Sequence, residues 1–157
     1  IKDSIKLLNE IDKDMDIEFK SNNKKILLNS DNEQLSRVFF NLIKNSIESL
    51  KQKYEKNPIF TKKVTIEIFE NHEHISIDII DNGIGFEVFK NNIKDILNPY
   101  FTTKKNGTGL GLSIVNKIIS DHNGKLKFIP IENGAKISIN FSKNGNWNIN
   151  YRRQSWY

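Results

Sequence analysis

Apolar positions along this chain recur with two periods, and the switches between them divide it into elements. Ile75, Ile77 and Ile79 alternate with Ser76, Asp78 and Ile80. That period of two predicts a strand with its odd-numbered side chains toward a core. Val64 to Phe69 precedes it, and the two runs read as a hairpin turning at Glu70 to His74. A second hairpin pairs Leu126 to Ile129 with Ala135 to Phe141, and shorter strands are expected near Asp16 to Lys20 and Lys25 to Asn29. Elsewhere the period is helical. Leu35, Val38, Phe39, Leu42, Ile43, Ser46, Ile47 and Leu50 form a wide stripe on a helix from about Asn32 to Lys56. Asp31 with Gln34 resembles a capping box at its start. Gly111, Ile114, Val115, Ile118 and Ile119 predict a helix running to about Asp121, ended by Gly124. Ile5, Leu8 and Ile11 predict a short helix over 2–13. Phe89, Ile93, Ile96 and Leu97 predict one over Phe86 to Leu97, stopped by Asn98-Pro99. The sum is an α+β fold: a two-layer sandwich, its sheet mixed but mostly antiparallel, its helices on one face.

With 157 residues, one domain with a real core is expected. There is no cysteine, which excludes disulfides and thiolate zinc sites and fits a reducing compartment. No apolar run approaches membrane-spanning length, and the start at Ile1 reads as the beginning of a piece of something longer. The formal net charge is +5 and the isoelectric point about 9.3. Charge alone would suggest nucleic acid. The lysines are instead scattered through every segment, with no patch of interleaved aromatics, so no nucleic-acid partner is expected.

The candidate chemistry sits where the strand pattern ends. Asp81 continues the inward set Ile75, Ile77, Ile79, so its carboxylate is aimed at the interior, where an unpartnered charge is costly. Gly83 and Gly85 then allow close backbone approach. An acceptor on the floor of a glycine-walled pocket suits an exocyclic amine such as that of adenine; an Asx turn ending the strand also fits Asp81-Asn82-Gly83. The cluster Gly107-Thr108-Gly109-Leu110-Gly111-Leu112 opens a helix, a place where N–H groups and the helix dipole favour phosphate. It is no P-loop, since no Gly-Lys-Ser/Thr follows, and its spacing is wrong for a dinucleotide fingerprint. Beside the apolar stripe of the long helix run Asn41, Asn45, Glu48 and Gln52 on one face. Such a row is often simply solvated. Asparagine is a middling helix former, however, and its amide oxygen is a hard neutral ligand suited to Mg²⁺. His72 and His74 flank Glu73 in a hairpin turn, and His122 lies at a helix end. A His-x-His metal pair is conceivable there, but a solvated turn fits better.

These motifs together resemble the catalytic and ATP-binding domain of sensor histidine kinases, in the superfamily shared with gyrase, the Hsp90 chaperone and MutL. The N box is Asn41-Leu42-Ile43-Lys44-Asn45-Ser46-Ile47-Glu48. The first glycine box is Asp81-Asn82-Gly83-Ile84-Gly85-Phe86. The F box is Pro99-Tyr100-Phe101-Thr102-Thr103-Lys104, and the second glycine box is Gly107 to Leu112. The four occur in the family's order, and the resemblance covers roughly residues 15 to 141. The wording of the F box looks most like kinases of the nitrogen-regulation type.

The resemblance implies a Bergerat-type ATP-binding fold and two cofactors, ATP and Mg²⁺. It implies that Asp81 accepts a hydrogen bond from the adenine amine, with Gly83 and Gly85 shaping that end. Asn45 would hold the metal, and Asn41 would lie near the phosphates. Phe101 and Thr103 would belong to a lid, from which Lys104 or Lys105 would reach the γ-phosphate. Gly107, Thr108, Gly109 and Gly111 would cradle the phosphate chain, with Leu110 and Leu112 anchoring the lid's end. The gyrase-like ATPases place a water-activating glutamate where this chain has Asn41, so transfer rather than hydrolysis is implied. None of His72, His74 and His122 has the setting of the family's phosphate-accepting histidine. The implied partners are therefore a histidine-bearing dimerisation domain of the parent kinase and, through it, a response regulator. The expected location is cytoplasmic, without direct membrane contact by this domain and with the parent anchored in a membrane or not. Residues 1–141 are expected to form the catalytic domain, and 142–157 a poorly ordered tail in which Trp147, Ile149 and Tyr151 offer an alternative edge strand. A serine-directed kinase or a non-catalytic nucleotide-binding module of the same fold would read similarly.

Overall fold

The computed structural model describes residues 14–86, 93–102, 107–143 and 154–156. Its elements in chain order are strands β1 (Asp16–Ser21) and β2 (Ile26–Leu28), helix α1 (Asn32–Lys56), and strands β3 (Lys63–Glu70) and β4 (His74–Asp81). A 3-10 turn (Ile93–Leu97), helix α2 (Gly111–Asp121) and strands β5 (Gly124–Ile131), β6 (Gly134–Ser142) and β7 (Gln154–Trp156) follow. Five strands form one sheet in the order β1-β3-β4-β6-β5. Only β1 and β3 run parallel; β3–β4, β4–β6 and β5–β6 are antiparallel. The mixed, mostly antiparallel sheet with helices on one face is thus the architecture that the periodicities predict.

The alternation in β4 holds to its last residue. Ile75, Ile77, Ile79 and Asp81 are all buried, while the even positions between them are partly exposed. The buried face meets Leu35, Val38, Phe39, Leu42, Ile43, Ile47 and Leu50 of α1 and Val115, Ile118 and Ile119 of α2 in one cluster. Each fully buried aliphatic or aromatic side chain of this kind contributes about 1.5–3 kcal/mol. The opposite face carries charge: Lys136 pairs with Asp78 at 2.6 Å and Lys63 with Glu18 at 2.9 Å. The sheet therefore has one wet and one dry side, and both helices take the dry one.

Two expectations change in detail. The segment Ile93–Leu97 is a 3-10 turn rather than the last turn of an α-helix; residues 87–92 of the expected helix, like the helix over 2–13, lie outside the described residues. Pro99 restricts Asn98 to extended backbone, and tightening to 3-10 geometry is how a short helical segment closes against such a stop. The capping box is also modified. Asp31 does cap α1, accepting the Gln34 N–H at 3.0 Å, but the Gln34 side chain donates to Asp31 Oδ2 rather than to the Asp31 backbone. A carboxylate offers two acceptor oxygens, and here one takes the Gln34 backbone N–H and the other its side-chain amide. Its carboxyl is held below the usual carboxylate range, chiefly by the Gln34 N–H.

The N–H that a capping box would have satisfied goes to His122. Asp31 N–H donates to His122 Nε2 at 3.0 Å, so the ring proton sits on Nδ1, which donates to the Ile118 carbonyl at 2.8 Å. His122 is 1 % exposed. It joins the end of α2 to the start of α1. Strand β7 pairs antiparallel with β2, Ile26 opposite Trp156; the alternative strand at Trp147, Ile149 and Tyr151 lies outside the described residues. The His122 link predicts that His122→Ala lowers the unfolding free energy by about 1–3 kcal/mol, the usual effect of leaving a buried donor unmatched. Urea unfolding of both chains measures this, and equal midpoints would show that the link contributes nothing.

Candidate active site

Asp81 ends the central strand, between Val64 of β3 and Ala135 of β6. It is 4 % exposed. Its Oδ1 accepts the Gly83 N–H at 3.0 Å and the Ser49 hydroxyl of α1 at 3.5 Å. The Gly83 bond is the Asx turn that the sequence allowed, so the turn and the inward-aimed carboxylate are one feature. Burial pushes the Asp81 carboxyl above its ordinary value of 3.8, against the pull of the Gly83 N–H, the Ser46 and Ser49 hydroxyls and the Lys53 charge. Ser46 lies close enough to favour the charged form, yet its buried Oγ has no partner at hydrogen-bonding geometry.

Three glycines shape this end. A Cβ on Gly83 would overlap Ser49 Oγ. Gly85, at φ +69°, lies against the Gly134 carbonyl, and Gly134, at φ +144°, leaves no room for a Cβ beside the Asp81 carbonyl. The β5–β6 turn is thereby pressed onto the backbone of the first glycine box. Asn82 points away from the pocket and ties the loop to β3: its Oδ1 accepts the Lys63 N–H at 2.9 Å and its Nδ2 donates to the Thr61 carbonyl at 2.8 Å. Lys53 donates to the Asn82 carbonyl at 2.6 Å and lies 5.0 Å from the Phe60 ring centroid.

The other end is built by α1 and α2. Asn41 Nδ2 donates to the Arg37 carbonyl at 2.8 Å, which turns Oδ1 toward Gly111; a Cβ there would stand 3.4 Å from it. The N box and the second glycine box therefore meet at that point, with Asn45 half-buried one turn further along. Leu110 is the N-cap of α2, and its side chain supplies no bond to the first-turn N–H groups. Thr108 Oγ1 accepts the Leu110 N–H at 3.4 Å. Gly109, at φ +66°, accepts the Tyr100 N–H through its carbonyl at 3.1 Å. Tyr100 itself has φ +68°, an uncommon conformation for a residue with a Cβ. The F box is thus fastened to the second glycine box at its base, leaving Tyr100 76 % and Phe101 39 % exposed. Gly107 is partly exposed at the start of that box. Thr103, Lys104 and Lys105 lie outside the described residues.

The structure brings Asp81, Gly83 and the first glycine box to the C-terminal part of α1, at Ser49 and Lys53, and brings Gly111 of the second glycine box beside Asn41 near the middle of that helix. It also assigns residues that the sequence reading passed over. Ser49 and Lys53 follow Ser46 at helical spacing, a signal legible in the sequence but indistinguishable there from a solvated edge. Gly134 follows Asn133 in a hairpin turn, which explains its glycine locally while hiding its contact with Asp81. The donors on hand suit a nucleotide with its metal: a buried acceptor and an unmatched hydroxyl at one end, amide oxygens and uncapped N–H groups at the other.

The chain matches the family described as histidine kinase-, DNA gyrase B-, and HSP90-like ATPase over residues 30–145. Sporulation kinase C of Bacillus subtilis is 39 % identical over 101 residues, 64 % of this chain and 21 % of that protein. Sensor protein TdiS of Thauera aromatica is 38 % identical over 107 residues, 68 % of this chain and 19 % of that protein. The nitrogen regulation protein NtrY of Azorhizobium caulinodans is 35 % identical over 119 residues, 73 % of this chain and 15 % of that protein, so the likeness does not single out the nitrogen-regulation type. Among solved structures, a nucleotide-free catalytic domain of histidine kinase ThkA superposes with a TM-score of 0.73 at 28 % identity, covering 90 % of this chain and 89 % of that one. The chain belongs to the histidine kinase-, gyrase B- and HSP90-like ATPase family. Within it, this is the catalytic, ATP-binding type of domain that sensor histidine kinases carry. It spans about a fifth of the length of those first two relatives.

The raised carboxyl of Asp81 has a consequence for stability. Folding disfavours its charged form, so its ionisation removes stability as pH rises from the ordinary value of 3.8 through the higher folded value. Asp81→Asn removes that effect. The variant should melt higher than wild type at neutral pH, and the difference should close as pH falls below the ordinary carboxylate range. Thermal melts across pH check this; a variant less stable at neutral pH would mean that the charged form is well accommodated.

Proposed function

We propose that this chain binds Mg–ATP and presents it for phosphoryl transfer to a histidine on a separate dimerisation domain. The observation that carries the proposal is Asp81: a carboxylate 4 % exposed, walled by glycines, and bonded to Ser49 of α1, one helical turn beyond Asn45 and two beyond Asn41. Burying such a group without matching its charge is a standing cost to the fold, which a ligand donor would offset.

In this reading Asp81 accepts the adenine amine, and Ser46 offers its unmatched hydroxyl beside it. Asn45 supplies a neutral oxygen to Mg²⁺, whose part is to neutralise phosphate charge. Asn41 and the N–H groups at the start of α2 hold the phosphate chain, with Gly107, Thr108, Gly109, Leu110 and Leu112 forming its wall. Phe101, Thr103, Lys104 and Lys105 close from the lid, either lysine reaching the γ-phosphate. Transfer of this kind depends on positioning and charge neutralisation, so the domain needs no nucleophile of its own. Asn41 cannot take a proton from water near neutral pH, so hydrolysis is slow and the phosphoryl group waits for an acceptor. The partners are then the histidine-bearing domain and, beyond it, a response regulator. No helix among the described residues is long and apolar enough to cross a membrane, and we place the domain on the cytoplasmic side. We take 1–141 as the catalytic domain and 142–157 as a tail.

An ionised carboxylate accepts but cannot donate, so it favours the adenine amine over the guanine carbonyl. Calorimetry should therefore show ATP binding with GTP weaker, and Asp81→Ala should weaken ATP on the order of tenfold, from a buried-partner loss of roughly 1–3 kcal/mol. Asn45→Ala should abolish the Mg²⁺-dependent part of binding with the fold intact. Equal affinity for ATP and GTP would remove the adenine assignment, and an unchanged Mg²⁺ dependence would remove Asn45 from the metal.

The chain alone, incubated with γ-labelled ATP, should take up no label and release little phosphate. Adding the parent's dimerisation domain as a separate polypeptide should produce an acid-labile, base-stable phosphate on that polypeptide, at a rate rising with its concentration. Stoichiometric labelling of His72, His74 or His122, or brisk hydrolysis, would overturn transfer to a separate acceptor.

A further inference from the structure

Among the side chains of α1 that reach the first glycine box, Ser49 bonds both Asp81 and the loop backbone. Its hydroxyl donates to Asp81 Oδ1 at 3.5 Å and accepts the Ile84 N–H at 3.0 Å. A hydroxyl has one donor and two acceptor sites, so a single group serves the carboxylate and the loop backbone together. Oδ1 also takes the Gly83 N–H at 3.0 Å. Two donors thus converge on Oδ1. Gly83 makes this possible, since a Cβ there would overlap Ser49 Oγ. Serine is only a moderate helix former, and here its hydroxyl is engaged with the loop, not with a carbonyl of its own helix.

We propose that Ser49 is a positioning residue for nucleotide binding: it selects which oxygen of Asp81 faces the base and closes the Gly83–Gly85 loop around it. The proposal rests on the adenine reading above. Ser49 touches no substrate atom in this scheme and acts through Asp81.

Removing the hydroxyl has two separable effects. Asp81 loses a donor that favours its charged form, so burial acts on it with less opposition. Ile84 loses the acceptor for its N–H. The charged group acting on Asp81 is Lys53, on the same helix. The strand neighbours Val64 and Ala135 and the contacting Gly134 and Ser46 carry no charge. Ser49→Ala therefore changes the hydrogen bonding of Asp81 and leaves its ionic surroundings in place.

The experiment combines a carboxyl-carbon NMR titration of the free chain with calorimetric ATP titrations across pH, on wild type, Ser49→Ala and Ser49→Cys. Ser49→Ala should raise the Asp81 titration midpoint, move the acid limb of ATP binding to higher pH, and weaken binding near neutrality about tenfold. Ser49→Cys, a weak donor of similar shape, should fall between the two. A variant that binds ATP more weakly by the same factor at every pH, with an unmoved Asp81 midpoint, would overturn the proposal, because a merely loosened loop behaves that way. If the wild-type chain bound no ATP, the nucleotide reading would fall, while the carboxyl titration would still decide whether Ser49 governs Asp81.

Discussion

Asp81 is a charge placed where the fold would otherwise put an isoleucine. β4 is the central strand, and Ile75, Ile77 and Ile79 fill its buried positions before Asp81 takes the next one. An apolar residue there would extend the core by one layer and close the end of the sheet. A carboxylate instead forces its neighbours to supply donors and space. Gly83 turns its N–H back, Gly85 and Gly134 clear the backbone above, and Ser49 and Lys53 come from α1 to meet the loop. Much of the local structure on that side of the molecule follows from this one substitution of charge for hydrocarbon.

The second constraint is the relative placement of α1 and α2, because the two ends of the site lie on different helices. Packing of their apolar stripes brings them together, but packing alone tolerates sliding. A polar fastener fixes the register at one end of α2, and a van der Waals approach marks the other. At its C-terminal end His122 accepts from Asp31 at the start of α1. At its N-terminal end Gly111 lies against Asn41, where a Cβ would come within 3.4 Å of Oδ1. The hydrogen bond is directional and holds one end of α2, and at the other end the first turn of α2 lies beside Asn41.

How much of this was legible in the sequence depends on whether a signal was periodic or singular. The sheet and both main helices follow from repeated apolar positions, each confirming the last, and Asp81 was legible because it interrupts such a repeat. The two glycine boxes were legible because glycines cluster there. Ser49, Lys53 and His122 were not, because each is a single polar residue whose partner lies far along the chain: Asp81 for Ser49, Asn82 for Lys53, Asp31 for His122. Chain distance hides such pairings from any local pattern. His122 was additionally masked by its position next to Asn123-Gly124, which reads as an ordinary helix stop. Gln34 shows the converse case: the capping pattern was correctly placed, but a distant histidine had already taken the donor that the pattern assigns.

The placement of stress in the molecule also divides along these lines. The dry face of the sheet and the helix stripes conform to every local rule, and there the fold is over-determined. Several departures fall near the candidate site, among them a raised carboxyl at Asp81, a buried unmatched hydroxyl at Ser46, a left-handed Tyr100 and a helix α2 without a side-chain cap, while Asn29 Oδ1, Asp78 Oδ1 and the left-handed Asn123 depart elsewhere. Three of those near the site would be relieved by a group of complementary character: a donor for Asp81 and Ser46, an anion for α2. A core that needs no ligand can carry such a site without unfolding. The same arithmetic means that nucleotide binding should stabilise the domain by more than the contacts it adds, since it also discharges costs that the free fold already bears.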